Sequence, residues 1–205
     1  MSRQVVARRI PESAGGELAA RLGRAVMELM ARIPTTEETM APGPERHARR
    51  IANAAAHRAA LTAGTLALPP GAFGWLTLIP ELIAIWRIQA QMVADIAGVH
   101  GKSADLGREQ MLFCLFRHAT AQALRDVAVQ VGGRVLIQEV PARALERIAR
   151  TVGMRLSQRL VRRGIARWLP LIGAAGVGAY AWYDTLQVAR NAAAIFAAVD
   201  DDAAA

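Results

Sequence analysis

With 205 residues, 53% of them apolar and 20% charged, the chain is long enough for one domain with a real core and too apolar for wholesale disorder. Its single cysteine, Cys114, excludes an intramolecular disulfide framework and fits a reducing compartment. The formal net charge of +8 rests almost wholly on arginine, with Lys102 the one lysine, so an acidic protein built for cationic partners is excluded.

Residues 1–15 read as a flexible N-terminal arm. Arg3, Arg8 and Arg9 are not followed by an apolar run, so no signal peptide is read and a cytoplasmic location is expected. Leu18, Leu22, Val26, Met27, Met30 and Ile33 recur at helical spacing and predict a first helix over 17–32. Pro34 ends it, and 34–44 reads as a loop with Pro42, Gly43 and Pro44 as breakers. A second helix starts near Glu45 and is basic at first (Arg46, Arg49, Arg50), then alanine-rich to Leu66. The uncharged run 59–80 attracts a transmembrane reading, but Pro69, Pro70, Gly71, Gly74 and Pro80 argue for two helices meeting at a turn.

The third helix is expected from Leu76 or Pro80 to Ala97, with Gly98 and Gly101 marking its end. Ser103 or Asp105 is expected to cap a fourth helix over 106–121, which continues or restarts through 123–131. After Gly132 and Gly133, the β-prone Val135, Leu136, Ile137 and Val140 fit either a helix or an extended link. Pro141 suits the first position of a fifth helix reaching Leu169, and the last helix covers 171–199. An acidic tail, 200–205, is expected to be disordered. The expectation is an all-α single domain of about six helices over 16–199. Two Gly/Pro-punctuated apolar helices, the third and the last, stand at its centre and pack through small residues.

Chemistry is sparse. His47, His57, His100 and His118 show no i,i+3 or i,i+4 pair and there is no CxxC, so no metal site is expected. Ser103 and Ser157 have no base near in sequence, and Cys114 lies in an apolar run that marks it as core. The glycines at 173, 176 and 178 lack the Lys-Ser/Thr that a phosphate loop needs and read as close helix packing. No catalytic residue and no cofactor are therefore expected.

Two polar stripes are more informative. Arg87, Gln91 and Asp95 fall at i, i+4 and i+8, with Glu81 at the edge and Gln89 on another face. Asp184, Gln187, Arg190 and Asn191 share a face of the last helix. The stripes are either solvated or joined by pairs such as Arg87 with Asp184 and Glu81 with Arg190. The segment 143–167 holds eight arginines (among them Arg155, Arg159, Arg162, Arg163 and Arg167) against Glu146 alone, eight minus one, or +7. It is either a solvated helix face or a surface for anionic lipid; nucleic acid is disfavoured without aromatic interleaving. Trp75, Trp86, Trp168 and Trp182 lie on or beside the two apolar stretches and read as bilayer-interface or core residues.

In these stretches the order is Pro69-Pro70-Gly71, Ile79-Pro80-Glu81-Leu82, Gln89 and Gln91 with Met92-Val93, Ile96-Ala97, then His100-Gly101. A basic helix from Arg159 follows, then Leu169-Pro170-Leu171-Ile172-Gly173 and a small-residue run with Gly176 and aromatics to Tyr183. This pattern resembles the EcsC family of bacterial proteins over about 45–198, with His100 standing where the family has an aromatic. The resemblance implies a helical protein with no assigned enzymatic activity. It also implies a place at or next to the cytoplasmic face of the membrane, as an accessory to a membrane complex such as a transporter. A competing reading is a soluble helical module holding an apolar ligand or a partner helix beside Trp86 and Trp182.

Overall fold

The computed structural model describes residues 12–66, 74–120, 128–131, 134–137, 142–163 and 170–197, with side chains over 16–64, 79–117, 142–143, 145–158 and 176–197. Six α-helices lie among them: α1 (Glu12–Ala31), α2 (Pro44–Leu66), α3 (Gly74–Val99), α4 (Arg108–Thr120), α5 (Ala142–Arg163) and α6 (Pro170–Ala197). The all-α expectation holds, with one addition. Strands β1 (Ala128–Val131) and β2 (Arg134–Ile137) form an antiparallel hairpin with Val131 opposite Arg134. The helix expected to run through 123–131 is therefore a strand at its end. The β-branched valines and the Gly132-Gly133 pair between the strands favour the extended form over a helix that would carry two glycines.

Helix boundaries differ where glycine and proline were read as stops. α1 starts at Glu12, so Gly15 and Gly16 lie inside it. A glycine costs a helix roughly 1 kcal/mol, less than an amphipathic face recovers by packing. α3 starts at Gly74 and carries Pro80 in its interior rather than at its start. Pro80 has no amide to give the carbonyl four residues back, a local loss that a long apolar helix absorbs. Its C-terminus follows the glycine rule. Gly101 sits at φ +68°, with Lys102 N–H donating to Ala97 O at 2.8 Å and Gly101 N–H to Gly98 O at 2.9 Å. Ser103–Asp105 forms a 3-10 turn, and neither Ser103 nor Asp105 caps α4. Gly107 holds the N-cap position, and the Gln110 side chain reaches back to accept its N–H at 3.0 Å, half of a capping box. The tail at 200–205, the turn at 67–73, Pro141, Arg167 and Trp168 fall outside the described residues.

The centre differs from expectation in one respect. α3 and α6 do meet, but α2 packs more extensively against each than they pack on one another, and α1 pairs with α5. The reason is size. Ala52, Ala55, Ala56, Ala59 and Ala63 are all buried and form one face of α2. A face of single methyl groups lets two helices approach closely, and each gains dispersion contacts along its length. The bulk of the core comes from Leu22, Val26 and Met30 of α1, Met92, Val93 and Ile96 of α3, and Met111, Leu112 and Phe116 of α4. Leu145 and Val152 of α5 and Val188 and Phe196 of α6 complete it. Trp86 meets Phe116 edge-on, centroids 5.2 Å apart at 86°.

Candidate functional site

The polar residues of α3 divide into an outer and an inner set. Arg87 is exposed, while Gln91 and Asp95, one and two helical turns further along, meet the chain after α1. Asp95 Oδ1 accepts from Thr36 Oγ1 at 2.8 Å and from Gln91 Nε2 at 2.9 Å, and Gln91 Nε2 also donates to Thr35 O at 3.0 Å. The stripe read from the sequence is real, and its job is to tie the 35–38 segment to α3. Glu37 and Glu38 line the shallow groove beside it. Another groove lies between α1 and α3, lined by Arg21, Arg24, Glu28, Ile79, Pro80 and Ile83.

The inner residue stands where the spacing puts it, away from the stripe. Gln89, expected on another face, is buried and donates from Nε2 to Asp184 Oδ2 at 3.0 Å and to Thr185 Oγ1 at 3.2 Å. Thr185 Oγ1 in turn donates to Ala181 O at 2.7 Å. Among the described residues no ion pair joins Arg87 to Asp184 or Glu81 to Arg190; Glu81 is buried and Arg190 exposed. A signal for Gln89 was present: it stands four residues after buried Ile85 and three before buried Met92, on the core face. Gln89→Leu keeps the volume but removes the donor from two oxygens in this seam. It is expected to cost about 1–3 kcal/mol in thermal or urea unfolding. No change on substitution would mean the seam is solvated.

α6 is further fixed by Asn191, which is buried and donates from Nδ2 to Cys114 O at 3.2 Å. Its Oδ1 accepts from Arg117 at 3.4 Å, and the Arg117 guanidinium lies 5.2 Å from the Phe113 ring centroid. Cys114 itself is fully enclosed, and burial pushes its thiol well above the ordinary range, which keeps it un-ionised. Among the described residues no three His, Cys, Asp or Glu side chains come together in a metal-binding group. His100 is buried just after α3.

The glycines of α6 part company. A Cβ at Gly178 would lie 3.1 Å from Ala60 O, so Gly178 is the point where α6 meets the backbone of α2. Gly176 is exposed with nothing within 4 Å of such a carbon and is not a packing residue; Gly173 lies in α6, opened by Pro170. All three are helical, which ends the reading of a phosphate loop.

The outer surface is basic. On α2, Arg46, Arg49, Arg50 and Arg58 are exposed and Glu45 is the one acid, 3.6 Å from Arg49. On α5, Arg143, Arg147 and Arg150 are exposed and Arg155 is half-buried. Glu146 accepts from Arg150 at 3.2 Å. Arg159, Arg162 and Arg163 continue α5, their side chains outside the described set. The sequence shows the basic start of α2 (Arg46, Arg49, Arg50), but the candidate anionic surface read from it lay on α5 alone, because the arginines of α2 sit among alanines that lower its apparent charge density. Tyr180 and Tyr183, not taken as site residues from the sequence, give α6 with Trp182 three exposed aromatics within four residues. Three ring residues so close together on an otherwise small-residue stretch of the helix were the available signal.

One segment among the described residues, Ile79–Val99, is long and apolar enough to cross a membrane, and 61% of it is buried inside the protein. No protein-family profile, no curated protein and no solved structure matches the chain.

Proposed function

We propose that the protein is a non-enzymatic helical interaction module, held peripherally at the anionic cytoplasmic face of a membrane, where it serves a membrane complex such as a transporter. The observation that carries this reading is the set of exposed arginines on α2 and on α5, two helices on separate surfaces whose sequences hold one acid each, Glu45 and Glu146. Such a surface is attracted to anionic headgroups by about 1 kcal/mol per arginine near the bilayer. The most apolar helix, α3, is largely occupied in the core, so attachment is from the surface rather than by a span. The resemblance of 45–198 to the EcsC family supports the same location.

Co-sedimentation with vesicles is the test. The chain is expected to bind phosphatidylglycerol vesicles at low salt and phosphatidylcholine vesicles weakly. Raising the salt from about 0.05 to 0.5 M should release it, as the screening length shrinks several-fold. Failure to bind either vesicle at low salt rejects the proposal.

A further inference from the structure

We infer that one face does the docking: the joint outer surface of α2 and α6 lies on the anionic bilayer, with Trp182 and Tyr183 in the headgroup layer. This rests on the peripheral reading above and specifies its geometry.

The two helices form one surface. Gly178 of α6 sits on Ala60 of α2. α2 and α3 run antiparallel, since Ala41 N–H, just before α2, donates to Val99 O at the end of α3. α3 and α6 run parallel, since Gln89 meets Asp184 and Thr185 while Ile85 shares a small cluster with Ala181 and Val177. α2 and α6 are thus antiparallel, which brings Arg190 toward the N-terminal, basic part of α2 and leaves Trp182 and Tyr183 level with its middle.

The helical period then selects what faces out. On α2, Arg50, His57 and Leu61, at i, i+7 and i+11, lie opposite the buried alanine face, and Leu61 is 69% exposed. On α6, Tyr183 and Arg190, at i and i+7, lie opposite the buried Ala181, Thr185, Val188 and Ala192, and Tyr183 is 54% exposed. Trp182, at 38%, lies on the flank of α6 that carries Gly178, toward α2. Among the described residues the exposed large hydrophobic side chains are Met40, Leu61, Met154, Tyr180, Trp182 and Tyr183; three of the six, Leu61, Trp182 and Tyr183, lie on this face, while Tyr180, about 200° round α6 from Trp182, lies on the far flank. Single exposed apolar residues need no explanation, but a cluster does.

Charge chooses the occupant. The acids of these two helices among the described residues are Glu45, beside Arg49, and Asp184, turned to Gln89. The face therefore shows arginine without competing carboxylate, which suits a continuous anionic surface. Tyrosine and tryptophan, with an apolar ring and a polar tip, are the side chains that favour the boundary between headgroup and acyl chain. The α5 arginines belong to a different surface, since α5 packs on α1 and α4 and has no extensive contact with α2 or α6 among the described residues.

Three double variants of the full chain separate the possibilities, each of exposed residues and each checked for unchanged helix content by circular dichroism. Arg50→Glu with Arg190→Glu is expected to weaken partition onto phosphatidylglycerol vesicles by on the order of twentyfold, about fivefold or more per arginine. Trp182→Ser with Tyr183→Ser should weaken it several-fold, with the difference persisting at high salt. Arg143→Glu with Arg147→Glu on α5 should change it by less than about threefold. Independently of any charge variant, brominated phosphatidylglycerol should quench tryptophan emission of the native chain, and Trp182→Phe should remove most of that quenching. If the α5 pair abolishes binding while both α2–α6 pairs bind like the native chain, or if Trp182→Phe leaves quenching intact, the docking face is wrong and peripheral attachment stands. If the native chain ignores anionic vesicles, both fall.

Discussion

Gly153→Val is expected to be among the most damaging single substitutions in the protein. A Cβ at Gly153 would lie 2.5 Å from Ala19 O and 2.7 Å from Gly23 N, both main-chain atoms of α1. A rotamer change cannot relieve a clash with backbone, so α1 and α5 must move apart along their whole crossing. Overpacking of this kind costs about 1–3 kcal/mol, and the two further methyl groups of valine put the effect at or above the upper end, about 3 kcal/mol. For a chain of this length that is a fall in melting temperature of roughly 6–12 °C. The crossing supplies its own control. A Cβ at Gly23 would meet Ala149 O and Arg150 Cα at an ordinary 3.5 Å. Gly23→Ala should therefore be neutral or stabilise by up to about 1 kcal/mol through helix propensity. Equal destabilisation by the two would show that the helices do not cross here.

Phe116→Ala should have the second large effect. Phe116 is fully enclosed at the meeting of α3 and α4, and its ring is the edge-on partner of Trp86. Truncation removes the buried ring and leaves a cavity that rigid neighbours fill only in part, which costs about 3–5 kcal/mol. The expected loss of melting temperature is roughly 6–20 °C. Phe116→Leu should recover more than half of it, because a branched aliphatic chain keeps most of the volume. A Phe116→Ala protein that melts within about 2 °C of the native chain would contradict the burial described here.

Neither of these residues stood out in the sequence, and the reasons differ. Phe116 lay in a run, MLFCLF, that announces burial but not its partner. Gly153 reads from the sequence only as a weak point of a long helix, because glycine lowers helix propensity wherever it falls. Only the neighbouring helix shows that this glycine is required while Gly16 and Gly176 are not: nothing lies within 4 Å of a Cβ at either. The same holds for the polar residues of α3. Spacing put Arg87, Gln91 and Asp95 on one stripe correctly. It could not show that the stripe is closed by Thr35 and Thr36, about sixty residues earlier, instead of by α6.

By itself the sequence determined the helical class, most helix spans to within a few residues, the close of α3 at Gly98 to Gly101, the burial of Cys114 and the basic character of the surface. These follow from local physics: a 3.6-residue period, the conformational range of glycine at a left-handed position, and composition. The tertiary structure decided which helices meet, that alanine-rich α2 rather than the α3–α6 contact forms the middle of the bundle, and that Gln89 is the polar residue turned inward. It also decided that residues 128–137 pair as strands and that arginines of α2 share a surface with the aromatics of α6. Those outcomes depend on contacts between segments far apart in the chain, where packing energy outweighs the preference of any one segment and no local period records the partner.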